Sequence, residues 1–87
     1  MHETGMVRDL VRRLEQVAQE SGGGRVAVAQ VWLGALSHMS PEHFREHFEE
    51  ASRGTVAAGA RLTIELSQDM SHPSAQQVIL ESVELEA

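Results

Sequence analysis

Arg25 to Leu33 is apolar on both faces. Val26, Val28 and Trp32 fall on one parity, Ala27, Ala29, Val31 and Leu33 on the other, and Gln30 is the only polar interruption. A strand with two apolar sides belongs at the centre of a sheet rather than at its edge. Gly34 ends it, and Ala35 to Met39 reads as a connection. The chain has 87 residues, room for one core of two layers, and a domain of that size buries only about 60–65% of its unfolded surface. A dinucleotide-binding domain, a TIM barrel and most self-contained enzymes are excluded on size.

Two helices flank this strand in sequence. From Thr4 to about Ser21, Val7, Leu10, Val11, Leu14, Val17 and Ala18 recur at helical spacing and form one apolar stripe. Thr4 is the expected N-cap, Asp9 and Arg13 stand a turn apart for a weak ion pair, and Gly22-Gly23-Gly24 is the expected terminator. Ser40-Pro41 opens the second helix, Ser40 as cap and Pro41 at the first helical position, where its missing N–H is not needed. Phe44, Phe48 and Ala51 face inward, Glu42, Glu46, Glu49 and Glu50 face water, and Arg53-Gly54 closes the helix.

Ala60 to Ser67 alternates, with Leu62, Ile64 and Leu66 inward and Arg61, Thr63 and Glu65 outward. Gln68 to Ala75 is a polar loop. The last strand begins with Val78 and Leu80 on one parity and ends with Val83 and Leu85 on the other, so a bulge near Glu81-Ser82 would restore a single face. The expected fold is α+β in the order α-β-α-β-β. It is one domain over residues 1–87, a three-stranded, mostly antiparallel sheet with two helices packed on one face. Because the bridge from Ser67 to Gln77 is too short for a helical crossover, the last two strands are expected to pair with each other, antiparallel.

Composition narrows the function. Thirteen acidic residues against seven basic ones, all Arg, give a formal charge of −6. No basic cluster suits nucleic acid or an anionic membrane. No apolar run reaches the length of a bilayer span, and Met1-His2-Glu3 does not begin a signal peptide, so a cytoplasmic location is expected. There is no Cys, which removes disulfides, thiol catalysis and Cys-ligated zinc. The fold is therefore expected to form without metal.

Candidate ligands are histidines. A free amine, the His2 amide nitrogen and the His2 ring can chelate Ni(II) or Cu(II) through fused small rings, with Glu3 adding a backbone nitrogen or a carboxylate; the plain alternative is a frayed end. His43 and His47 share one helix face, with Glu46 and Glu50 nearby, but Phe44 stands where a zinc-protease pattern needs Glu. Solvated or half-buried surface histidines are the better reading. His38 stands alone in the loop before this helix, and His72 precedes Pro73 in a polar loop without an expected role. No Ser–His–Asp set is visible, and the glycine run lacks the Lys-Ser/Thr of a phosphate loop.

The sequence resembles the nickel metallochaperones of nickel–iron hydrogenase maturation, the HypA/HybF family. Met1-His2-Glu3 with the following helix, Val31-Trp32-Leu33-Gly34-Ala35-Leu36-Ser37, Ser40-Pro41-Glu42 with Phe44 and Phe48, Gly59-Ala60-Arg61-Leu62, and Leu80-Glu81-Ser82-Val83-Glu84-Leu85-Glu86 carry the likeness. The resemblance implies a Ni(II) site at Met1, His2 and Glu3; His38 stands beside it as a free-standing candidate ligand, a turn residue being its plain alternative. The resemblance also implies delivery to a nickel-handling GTPase or the hydrogenase large subunit, with a homodimer admissible and no catalysis. Family members carry a zinc ribbon between the last two strands; here Ser67 to Gln77 stands in its place, so no zinc is expected. Ala35 replaces a usual Glu, and Ser40 an Asp of some members. A metal-independent interaction module for hydrogenase assembly is the alternative reading, and a small enzyme built on His38, His43 or His47 with Glu46 a third.

Overall fold

The computed structural model describes residues 3–86, with side chains from Gly5 onward. Its elements are α1 (Glu3–Glu20), β1 (Arg25–Leu33), α2 (Pro41–Ser52), β2 (Arg61–Leu66) and β3 (Val78–Glu86). The element order and the α+β class are as expected. Helix α1 already includes Thr4, so Thr4 lies in the first turn and not at the cap. Asp9 pairs with Arg12 at 3.6 Å, three residues on, and not with Arg13.

β1 is the central strand, and the sheet order is β2-β1-β3. Here the structure corrects the sequence reading. β2 runs parallel to β1 and β3 antiparallel to it, so the sheet is mixed, and β2 and β3 lie on opposite edges without pairing. The parallel pair follows from α2, which sits between β1 and β2 and provides the long crossover that parallel neighbours need. The bridge from Ser67 to Gln77 does not turn a hairpin. It passes over the carboxyl end of β1, held by Ser67 N–H to Leu33 O at 2.9 Å, Leu36 N–H to Ala75 O at 2.7 Å and Gly34 N–H to Gln77 O at 2.9 Å.

Two bulges align the faces. Gln30 faces Ser82 while Val31 faces Leu80, so the extra residue is Glu81, at the expected place. Val78, Leu80, Val83 and Leu85 all pack on the core as a result. A second irregularity, between Val26 and Val28, skips Ala27. It moves Val26 onto the inner face with Ala29, Val31 and Leu33, instead of with Val28 and Trp32, and each of these four inner residues is at most 2% exposed. Between this face and the helices lie Val7, Leu10, Val11, Leu14, Phe44 and Phe48, each buried side chain contributing roughly 1.5–3 kcal/mol. Both helices therefore cover one face. Leu66, expected inward, is 47% exposed at the end of an edge strand.

Ser40 caps α2: its Oγ accepts the His43 N–H at 3.1 Å, with Pro41 next. Replacing Ser40 by Ala should cost about 1 kcal/mol, lowering the melting temperature by roughly 4–8 °C for a domain of this size. A melting curve unchanged by Ser40→Ala would show that the cap is dispensable.

Candidate metal centre

The connectivity brings the start of α1 and the 34–40 loop to one end of the domain. The first turns of α1, through Met6, Asp9, Leu10 and Arg13, lie against Val78 and Leu80 at the start of β3. Those two residues pair with Leu33 and Val31 at the carboxyl end of β1. The 34–40 loop leaves the same end and leads into α2, so Glu3, His38 and the start of α2 share it with the bridge. In open α/β sheets the carboxyl ends of strands, where connections diverge to either side, are the usual places for ligands. Here β1 sends its chain to β2 on one side and receives β3 on the other.

Each expected ligand has a distinct place. Met1 and His2 lie outside the described residues. Glu3 heads α1. His38 is exposed in the 34–40 loop and holds φ at 62°, a left-handed conformation uncommon for a residue with a side chain. Beside it, Ser37 is 9% exposed, and its Oγ has no hydrogen-bond partner among the described residues. Ser40 Oγ is engaged in the α2 cap.

The helical histidines follow in α2, His43 in its first turn and His47 one turn on. His43 is exposed; His47 is half-buried and lines a cleft of about 510 Å³ between α1 and α2 with Arg8, Arg12, Glu15 and Glu50. Among the described residues no group of three or more His, Asp or Glu is arranged to hold a metal. No described helix is long and apolar enough to cross a membrane.

His72 has a role that its sequence context did not suggest. Its ring lies 4.8 Å from that of Trp32 at 47°, and its Nδ1 accepts the Ser74 N–H at 2.9 Å. The Asp69 carboxylate similarly accepts the Ser71 N–H at 2.9 Å. These are local side-chain turns of the kind that short polar side chains make with the backbone two residues on. The signal was present in the spacing of His72 and Ser74 across Pro73, but the aromatic contact with Trp32 requires the bridge to cross the sheet end.

The structure defines a small two-layer α+β domain whose His38 loop leaves the carboxyl end of its central strand. Residues 1–84 match the family described as "Hydrogenase/urease nickel incorporation, metallochaperone, hypA". The chain belongs to that family. It is 38% identical over 66 residues to the hydrogenase maturation factor HypA of Methylocella silvestris, covering 76% of this chain and 58% of that protein. It is 35% identical over 65 residues to the factor of the same name from Chlorobium limicola, covering 75% and 56%. The chain thus spans less than three-fifths of the length of these relatives. In fold it is similar to the solution structure of the Ni metallochaperone HypA from Helicobacter pylori, with a TM-score of 0.83 at 22% identity, covering 100% of this chain and 99% of that one.

Proposed function

We propose that the chain is a nickel-handling accessory protein for hydrogenase maturation, a metallochaperone and not an enzyme. Residues 1–87 form on this reading a single nickel-binding domain without a zinc ribbon. Ni(II) is its cargo, held by the Met1 amine, His2 and Glu3, with His38 as the additional donor from the 34–40 loop. The observation that carries the reading is that Glu3 begins α1 at the same end of the domain as the His38 loop. The amine and imidazole suit a strongly Lewis-acidic divalent ion. A site of few donors at a chain end also releases its ion readily, as a carrier must. The recipients are a nickel-handling GTPase and the hydrogenase large subunit, and the site of action is the cytoplasm.

Calorimetric titration of the chain with Ni(II), with its amino terminus unmodified, tests the proposal. One ion should bind per chain, with Zn(II) binding markedly weaker. Absence of Ni(II) binding would remove the metal role. That outcome would favour the metal-independent docking module, to which one observation already points: Ala35 offers no side-chain donor, and Ser40 Oγ is committed to capping α2.

A further inference from the structure

The cleft of about 510 Å³ between α1 and α2 carries charges of both signs that do not close on one another. Arg8 and Arg12 stand one turn apart on α1, and both line it. Like charges at that spacing repel each other and weaken a helix. Asp9 neutralises Arg12 only loosely, at 3.6 Å, with both side chains largely exposed. Arg8 has no side-chain hydrogen bond or ion pair among the described residues. Nor have Glu15 on α1 and Glu50 on α2, which line the same cleft. All four charged side chains are exposed. Val11, 4% exposed, and Ala51, half-buried, supply the apolar part of the lining. Thr55, also in the lining, is already engaged: its Oγ1 donates to Ser52 O at 2.7 Å and accepts the Ala57 N–H at 3.1 Å.

We propose that this cleft binds a small zwitterion, an α-amino acid with an aliphatic side chain. Its carboxylate accepts from the guanidinium groups of Arg8 and Arg12, whose planar forks match carboxylate geometry. Its ammonium group, with three donors and no acceptor, donates to the carboxylates of Glu15 and Glu50. Its side chain lies on Val11 and Ala51. The charge pattern selects this class of ligand. A simple anion is drawn to the arginines but repelled by Glu15 and Glu50, and a simple cation meets the reverse. A ligand carrying both charges sets each against its opposite and offsets the Arg8–Arg12 repulsion that the free chain bears. The formal charge of −6 also repels a free anion at long range, whereas a neutral zwitterion escapes that repulsion. The volume falls within the roughly 300–1,000 Å³ of small-molecule clefts. Because the charged groups are open to water, binding is weak, with a dissociation constant on the order of 1 mM. None of these residues is a donor of the proposed nickel site, so the two readings stand or fall separately.

Amide chemical shifts of the nickel-free chain, followed while L-leucine is added to about 20 mM, test it. Residues 8–15 and 47–55, which hold the lining, should shift and saturate. N-acetyl-leucine lacks the ammonium group and leucinamide lacks the carboxylate. Each should bind at least about tenfold more weakly than leucine, since each forfeits charge-assisted hydrogen bonds. Arg8→Gln/Arg12→Gln should weaken leucine binding by about the same factor, and so should Glu15→Gln/Glu50→Gln. Arg61→Gln, a change of one charge on β2, should leave it unaltered. Circular dichroism should be the same for all these variants, because the substituted side chains are exposed. Absence of saturable shifts, binding of either single-charge analogue as tight as that of leucine, or a double variant that binds leucine like the parent would each overturn the proposal.

Discussion

Extending the chain at its amino terminus, so that the Met1 amine becomes a peptide nitrogen, is expected to abolish Ni(II) binding. His2→Ala is expected to do the same. The proposed site draws its donors from adjacent atoms of one short stretch of backbone, so losing any one donor opens a chelate ring. Loss of a partner that merely orients a metal ligand costs about 10–100-fold in affinity; loss of a ligand should exceed about 100-fold. By contrast, His43→Ala combined with His47→Ala should change the affinity less than about twofold, since neither ring is a donor of the proposed site. Protons compete for the same donors. An unperturbed α-amine titrates at about 7.7 and an imidazole at about 6.5. Binding should therefore weaken as pH falls through roughly 7.5 to 6, with protons released on metal uptake at neutral pH. Loss of nickel in the His43/His47 double variant, together with retention by the extended chain, would move the site to α2.

Gly34→Ala should be among the most destabilising single substitutions in the domain. A methyl group at Gly34 would overlap the Ala75 carbonyl and stand 2.8 Å from Ser74 O. Both are backbone atoms of the bridge, so no side-chain rotation relieves the overlap. The bridge would have to lift, disrupting the bonds from Gly34 N–H to Gln77 O and from Leu36 N–H to Ala75 O. Overpacking of this kind costs about 1–3 kcal/mol, and each lost hydrogen bond about 1 kcal/mol more. A fall of more than about 10 °C in melting temperature is expected. Gly5→Ala is the matched control. Gly5 lies within α1 with nothing within 4 Å of the added methyl, so Ala should stabilise by up to about 1 kcal/mol. If Gly34→Ala melts with the parent, the bridge does not cross the end of β1 as described.

The elements were legible because their signals are local. Ser40-Pro41 fixes the start of α2 through a cap that reaches only to His43. The parity switch between Leu80 and Val83 placed the β3 bulge at Glu81. The bulge at Ala27 left no such mark: Val26, Val28 and Trp32 alternate without a break, and only pairing with Leu85 and Glu84 shows which of them turns inward. The proposed site is legible as a motif and not as a geometry: Met1-His2-Glu3 names the proposed donors, of which Met1 and His2 lie outside the described residues.

Strand partnership divides the two levels most sharply. The apolar residues on both sides of β1 made it central from sequence alone. In a sheet of three, a central β1 already places β2 and β3 on opposite edges, so the expected β2–β3 pair conflicted with that conclusion. The short bridge suggested otherwise because closing a short loop between neighbouring strands is the cheapest local solution. What decided the matter is non-local. The helix crossover commits β2 to one side of β1, and the buried residues of β3 cover the core only from the other. The bridge can cross because Gly34 has no side chain to block it. Sequence alone determined which segments are helices and strands, the caps of α2 and the central place of β1, since each rests on neighbours a few residues away. Tertiary structure alone decided the mixed sheet, the inward turn of Val26 and the seat of His72 on Trp32, since each depends on residues that only the packed sheet brings together.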